Sequence, residues 1–534
     1  MSDRSLYAAA GLAQIPHILG LVDRNRLSPT YGCFDRSYWH YRTAPFPSGM
    51  YQEFVLPLAL VHRYEFPGGE AYHLQPRLKE LTAAGIAYAA RSAHPDGSCD
   101  DYFPYERALG AAAFSLYACT EGYILAGLQD QDLQGFFHRR AGWLLNRQES
   151  GRLSNHHALV VLALYNTYRV TNDTRYLEGA GKRLEMLLDW QTDEGWFPEY
   201  EGCDPGYLTA TIDFLAKYHQ KSRDGRVTKP LEKAARFAAH FMHPDGSYGG
   251  EYGSRNTALF FPHGFELLAR RMPEARRVAS LYMEGLRRDR RVHLDDDRMC
   301  AHLTYNHLQA YVDWWEGPRE PPRAPAPLER YWPGARLYLR RDDRRYLVAS
   351  AAKGGVLRLY VDGELACMDS GLVARLSNGR VLVSHFIDRY EVKRLEDGIQ
   401  VEGNFGRRRF RLPTPVAQAV FHVGMCVLGR WASDWIRWLL QRLLIVGKKS
   451  VPLKFRRTVR MGDAVRLTDE IWTETGSVSL HQVDALYAGT DHASIYVAMS
   501  NSFHRGCLEP WTDYGSVLEP LNAQGYGRVD RIIG

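Results

Sequence analysis

Upstream of residue 317 the apolar positions recur at helical spacing. In 105-YERALGAAAFSLYACTEGYILAGL-128, 157-HALVVLALYNTYRVT-171 and 207-YLTATIDFLAKYHQ-220 this spacing predicts helices. Beyond residue 330 the period shortens to two. VLRLYVDGELACM, LVARLSNGRVLVSHF and YEVKRLEDGIQVEG alternate apolar and polar positions around Asp362-Gly363, Asn378-Gly379 and Asp397-Gly398. Asx-Gly pairs between alternating runs predict β-hairpins, because both central turn residues need a positive φ. Between the two patterns lies 317-GPREPPRAPAPLER-330, with five prolines and no periodicity, which reads as a linker. The expected domains are an N-terminal arm (1–50), a helical catalytic domain (51–316), the linker (317–330) and an antiparallel β domain (331–534). A helix is inserted in the last of these near 416–446.

The helical half repeats. HPDGS stands at 94–98 and again at 243–247, and the turn glycines 97, 151, 195 and 246 are 54, 44 and 51 residues apart. Each interval holds about two helices and their connections, so helical hairpins should stack side by side. The loops after those glycines should then open on one end of the array. They carry Tyr105, Glu106 and Arg107; Asn155, His156 and His157; Glu199 and Tyr207; and Tyr252 and Arg255. An N-capping role explains Asn155 alone. Four converging loops of Tyr, Arg, Glu, Asn and His describe a polar site on a rigid scaffold, in which Asn155 and His156 are central.

Composition narrows the chemistry. Apolar residues make up 45% and charged residues 24% of the 534, as in ordinary globular proteins, while 32 tyrosines suit a sugar-binding cleft. The net charge of +6 favours an anionic substrate without giving a nucleic-acid footprint. The eight cysteines include no CxxC pair, so neither a zinc site nor a redox motif is expected, and no metal or other cofactor is implied. The first 25 residues have no basic stretch ahead of an apolar core, and no uncharged apolar run reaches the roughly 18 residues of a spanning helix. The expected location is the cytoplasm.

Tandem helical hairpins, a Pro-rich link and a β-sandwich, with SNHH opening one helix and DPGY placing Tyr207 51 positions after His156, resemble the heparinase II/III-type polysaccharide lyases. Alginate lyases of the same fold and dermatan sulfate epimerase are similar. The resemblance covers about residues 50 to 400. It implies a multidomain α+β chain, an N-terminal incomplete (α/α) toroid followed by a C-terminal antiparallel β-sandwich that closes over the cleft. It also implies an Asn beside the uronate carboxylate, a His as base and a Tyr as acid or second base, which fall on Asn155, His156 and Tyr207. The expected activity is β-elimination on a uronic-acid-containing polysaccharide or oligosaccharide through C5 proton abstraction. C5 epimerisation in cytoplasmic glycan or exopolysaccharide synthesis is the alternative, and a catalytically altered glycan-binding homologue a further one.

The chemistry needs such groups. The C5 proton lies α to a carboxylate and is very weakly acidic, so the charge that develops on the carboxylate must be stabilised, a task for Asn155 helped by Arg255. His156 suits a base near neutral pH, and Tyr207 can exchange a proton if a neighbouring cation lowers its pKa. One departure from the family concerns a further His supplied by the sandwich. The matching run, 349-ASAAKGGVLRLYVDGE-364, has Lys353 there, so that Lys353, or His385 from LVSHF, takes the task or the site is altered.

Glu106, Glu199, Glu201, Asp204 and Glu251 can instead be read as the carboxylates of an inverting glycosidase, or as caps and turn residues. His94 and His243 read as turn residues, and 294-LDDDR-298 as an acidic turn rather than a calcium site. The aromatic, Arg-rich stretch 23–42 either wraps the cleft or packs on the toroid. Trp431, Trp435 and Trp438 share a helical face near Arg430, Arg437, Arg442 and Lys448. That helix should pack on the sandwich or on a second subunit in a homodimer, or lie on the inner membrane as a peripheral contact.

Overall fold

A computed structural model of the protein describes residues 3–149, 151–200, 202–290, 293–294, 298–319, 326–385, 389–408, 414–441, 449–473, 482–490, 502–503 and 505–534. Glu201, most of the 294–298 acidic run, Arg442 and Lys448 lie outside the described residues. The chain opens with α1 (Asp3–Leu12), α2 (Ile15–Leu21) and α3 (Arg36–Trp39). Helical hairpins follow: α4 (Val55–Arg63) with α5 (Pro76–Ser92), α6 (Leu109–Leu125) with α7 (Gln131–Leu145), and α8 (Ser154–Thr171) with α9 (Thr174–Asp189). Then come α10 (Pro205–Ser222) with α11 (Thr228–Ala238), α12 (Pro262–Ala269) with α13 (Pro273–Arg287), and α14 (Cys300–Val312).

The even-numbered helices from α4 to α14 form the inner layer of an (α/α) toroid, each packed on the next, with α14 returning against α4. Their composition fits the position. In α6 every residue from Leu109 to Tyr123 is buried, whereas the outer α9 buries one stripe, Tyr176, Ala180, Arg183, Leu184 and Leu187. In the outer layer α5, α7 and α9 pack in succession, as do α11, α13 and α1. The stretch 23–42 lies on α5, with Tyr31 and Arg26 both donating to Glu80 at 2.6 Å.

The HPDGS repeat is a structural device. In both copies Asp accepts from the Ser amide, Asp96 from Ser98 and Asp245 from Ser247, and 192–196 forms the same turn. Gly97, Gly195 and Gly246 have positive φ and lie against the backbone of α7, α11 and α13, where a Cβ would come within 2.5 to 2.7 Å. Gly151 departs from the series and faces the Tyr200 ring. Because the inner helices run in parallel, their N-termini and the loops ahead of them share one end.

A two-residue strand, β1 (His293–Leu294), precedes the β region. A first sheet runs β2 (Leu328–Trp332), β3 (Leu337–Arg341), β4 (Arg345–Ser350), β5 (Val356–Val361) and β6 (Glu364–Asp369), each antiparallel to the next. The second contains β7 (Leu372–Leu376), β8 (Val381–Val383), β9 (Glu391–Leu395) and β10 (Gly398–Arg407) before the inserted α15 (Pro415–Gln441). After it come β11 (Ser450–Met461), β12 (Val465–Thr473), β13 (Val483–Ala488), β14 (Ser502–Phe503, paired with β1), β15 (Thr512–Asp513), α16 (Leu518–Gln524) and β16 (Tyr526–Ile532). Among the described residues the order is β15-β13-β7-β8-β10-β11-β12-β16, with β9 on β10.

The first sheet is covered on both faces. Leu347, Ala349, Leu357 and Leu359 join the core between the sheets, while Tyr346, Val348, Val356 and Tyr360 join the helical core. Of the three Asx-Gly pairs, only Asp362-Gly363 has both residues at positive φ. Gly398 instead opens β10, where its Cα lies against the Val459 carbonyl and leaves no room for a Cβ.

Candidate active site at the N-terminal end of the inner helices

Three of the four loops are knitted together. Leu153 bridges to Glu199, Tyr200 N donates to Arg152 O at 2.7 Å, and Ser254 N donates to Cys203 O at 2.9 Å. The first turn of α8 is held across this seam. Its preceding residue, Leu153, offers no capping side chain; the Glu199 carboxylate accepts from Asn155 N at 2.8 Å and Asn155 Nδ2 at 2.9 Å. Asn155 is therefore not the N-cap, and a neighbouring loop caps the helix instead. Burial pushes the Glu199 carboxyl up to about 8, against the Asn155 backbone bond, the His156 charge and the Asn155 amide. Asn155 Oδ1 is buried with no partner among the described residues.

His156 lies beside this pair. Its Nδ1 is 2.7 Å from Glu149 Oε2, and its ring covers Gly110 so closely that a Cβ there would come within 2.8 Å of Cε1. Phe114 meets the ring edge-on at 6.1 Å. Burial pulls the imidazole down, but the Glu149 carboxylate, by charge and by hydrogen bond, outweighs it and holds His156 above the ordinary histidine value. With Nδ1 occupied by Glu149, Nε2 is the nitrogen left to exchange a proton. Phe114 also stacks at 4.6 Å with the buried His302, which is bound through Nδ1 to Glu53 Oε2 at 2.7 Å.

Tyr207 sits in the first turn of α10, and DPGY builds that turn. Asp204 caps it by accepting Tyr207 N at 3.0 Å, Pro205 fills the first turn, and Gly206 admits the Thr257 carbonyl where a Cβ would clash at 2.3 Å. Asp204 also accepts Arg255 N at 2.7 Å, which ties the fourth loop to the site. The Arg255 guanidinium lies 4.2 Å above the Tyr200 ring, and its Nε has no partner among the described residues. Burial lowers the Arg255 pKa, but Tyr200, Tyr207, Glu199 and Asp204 outweigh it and raise it. For Tyr207 the balance goes the other way from the sequence expectation. Burial, with Glu199 and Asp204, prevails over Arg255 and holds the hydroxyl well above the usual phenol range, as a proton donor.

Asn155, His156, Tyr207, Glu199 and Arg255 thus come together. Other candidates from the sequence serve the scaffold. Glu106 accepts from the Asp101 and Tyr102 amides at 3.1 and 2.7 Å and organises its own loop, Arg107 pairs with Asp96 at 3.3 Å, and Tyr105 stacks on His94 at 5.4 Å. His157 is turned toward α9, where Arg183 donates to its Nδ1 at 3.1 Å and burial, then Arg183, push it down to about 4. Tyr252 is buried against His243 Nε2 at 2.9 Å in the seam with the sandwich. Lys353 donates to the carbonyls of Glu251 and Gly253 and to Asn256 Oδ1, which clips the sandwich to the fourth loop. His385 is buried at the end of β8 beside Gly371. The position of Lys353 follows from geometry that its sequence context does not carry.

Sequence reasoning missed Glu149, Gly110 and the Glu199 cap. Glu149 precedes His156 by seven residues with no helical phase between them, and Gly110 and Glu199 matter only through contacts distant in sequence. Among the described residues no group of three or more His, Cys, Asp or Glu side chains is disposed to hold a metal ion.

No protein-family model matches the chain, and no curated protein matches it in sequence. Solved structures do. Chondroitin AC lyase of Streptomyces coelicolor A3, in complex with chondroitin sulphate, is similar over 91% of this chain and 68% of that one at 12% identity, with a TM-score of 0.55. Heparinase III matches over 100% of this chain and 83% of that one at 10% identity and a TM-score of 0.49. Unsaturated glucuronyl hydrolase of Streptococcus agalactiae matches over 59% and 92% at 10% identity and a TM-score of 0.39. At such identities the first likeness concerns the fold, and it spans both toroid and sandwich.

Proposed function

We propose that the protein acts on a uronic-acid-containing polysaccharide or oligosaccharide by abstracting the C5 proton and eliminating the 4-O-linked chain. The carrying observation is the convergence of Asn155, His156 on Glu149, Arg255 and Tyr207 at one end of the toroid. The Asn155 amide, aligned by Glu199, and the Arg255 guanidinium would bind the uronate carboxylate and stabilise the charge that develops on it. His156 Nε2 takes the C5 proton, the electron pair forms the C4–C5 double bond, and the C4–O4 bond breaks. Tyr207, a neutral phenol at working pH, gives its proton to the departing oxygen.

C5 epimerisation is the second reading, and Glu199 favours it. A carboxyl protonated below about pH 8 adds a second proton donor beside Tyr207, and the same carbanion reprotonated on its opposite face gives the epimer. A homologue that binds glycan without turnover would show tight binding and no effect of Asn155→Ala or Tyr207→Phe on any product. The test is incubation with a panel of uronate polysaccharides in deuterated water, followed by NMR and ultraviolet absorbance. An unsaturated product supports the lyase and deuterium at C5 without cleavage the epimerase. Binding with neither signal would refute both chemistries.

A further inference from the structure

Among the described side chains, the inserted helix α15 is anchored along one side. Phe421 meets Phe103 edge-on at 5.5 Å, Met425 is buried, and Gly429 lies so close to Tyr105 that a Cβ there would come within 2.9 Å of the Tyr105 Cβ. These residues recur every four positions and rest on the 101–107 loop. The opposite side carries Val416, Val420, Val423, Val427 and Trp431, each more than half exposed and Trp431 82% exposed, and Trp435, also exposed, follows the kink at Ala432 that divides α15. The first five recur at three- and four-residue intervals, so they form one stripe roughly 22 Å long at the rise of an α-helix. Isolated apolar side chains are common on protein surfaces; a continuous stripe of five on one helix is not.

We infer that α15 docks on the surface of a membrane containing anionic lipid, with this stripe lying in the interface between headgroups and acyl chains. Two observations favour lipid over a second copy of the chain, and a third sets its orientation. The segment 416–449 contains Arg430, Arg437, Arg442, Lys448 and Lys449 against a single acid, Asp434. Two copies pairing through it would bring like charges together, whereas anionic headgroups neutralise them. The exposed tryptophans are the side chains best suited to the headgroup layer, with an apolar ring and an N–H for water. No helix of the described residues is long and apolar enough to cross a membrane, so α15 would lie in the plane of the surface. Docking would turn the 101–107 side of the cleft toward the bilayer, where a membrane-attached glycan could reach it. The docking itself does not depend on the proposed chemistry.

The test is flotation of the full-length protein with vesicles of phosphatidylcholine alone and of phosphatidylcholine with phosphatidylglycerol, at low and high salt. Binding is expected only to the anionic vesicles, weaker at high salt, with a blue shift of tryptophan emission. The double variant Trp431→Gln/Trp435→Gln should bind at least about tenfold more weakly with an unchanged melting temperature and circular dichroism spectrum. No binding of the wild-type protein to either vesicle overturns the inference. So does a wild-type dimer in sedimentation velocity that the double variant dissociates while vesicle binding stays the same, which would make this face a contact between copies.

Discussion

Replacing Glu149 by Gln tests whether His156 is the base. The Glu149–His156 contact is 2.7 Å long and its side chains are 12% and 23% exposed, so solvent screens it little. The substitution keeps the shape and an acceptor but removes the charge. A hydrogen bond to a charged partner contributes about 1.5–3 kcal/mol, and each 1.36 kcal/mol is a factor of ten in rate. The rate of C5 deuterium exchange or elimination should therefore fall roughly ten- to hundredfold. The pH profile carries the sharper signature. His156 acts as a base only when neutral, so activity rises as pH climbs through its pKa. Glu149 holds that pKa above the ordinary value, and in Glu149→Gln burial and Arg255 act with little opposition. The acid limb of kcat/KM should move to lower pH while the plateau drops, and the His156 imidazole in NMR spectra of histidine-labelled protein should titrate lower by the same amount. An unchanged limb with an unchanged plateau would remove both residues from the mechanism.

Tyr207→Phe removes one proton and little surface, and should lower turnover by about two to four decades while substrate affinity, read by calorimetry, stays largely intact. Gly110→Ala places a methyl 2.8 Å from His156 Cε1; the ring must shift, and activity should fall about a hundredfold with the pH profile retained. Arg358 is fully buried and donates to both oxygens of Glu251 at 2.8 and 2.9 Å across the seam between toroid and sandwich. Arg358→Met takes the guanidinium from that carboxylate and should destabilise the protein by about 3–5 kcal/mol in denaturant unfolding, with Arg358→Met/Glu251→Gln recovering part of the loss. In the sandwich core, burial raises the pKa of Asp369, but Arg457 and Arg531 prevail and hold it at about 2. Its folded-state pKa is depressed, so its contribution, about 2 kcal/mol, is present above roughly pH 4 and lost as pH falls toward 2. Asp369→Asn should flatten that part of the stability profile.

Much of the architecture was decided locally and was legible. The segments 105–128, 157–171 and 207–220 are the helices α6, α8 and α10, and the alternating runs around Asp362-Gly363 are strands. Element type is settled among neighbouring residues, whereas the burial of these inner helices nearly all round, and of the first sheet on both faces, is set by the layers packed against them. The same locality explains DPGY, since capping Asp, first-turn Pro, close-packed Gly and Tyr lie within one turn. The balance of forces within the site was not legible in this way. The sequence supplied a His, an Asn, a Tyr and an Arg on loops expected to converge. Only the tertiary structure assigned Glu149 to His156, set Glu199 as the cap of α8, turned His157 toward α9 and spent the Lys353 ammonium on the carbonyls of the fourth loop. It also inverted the expected state of Tyr207, because a pKa depends on burial and on charges brought close by folding: Asp204 lies within the same turn, but the burial and the Glu199 carboxyl come from the packing of neighbouring loops.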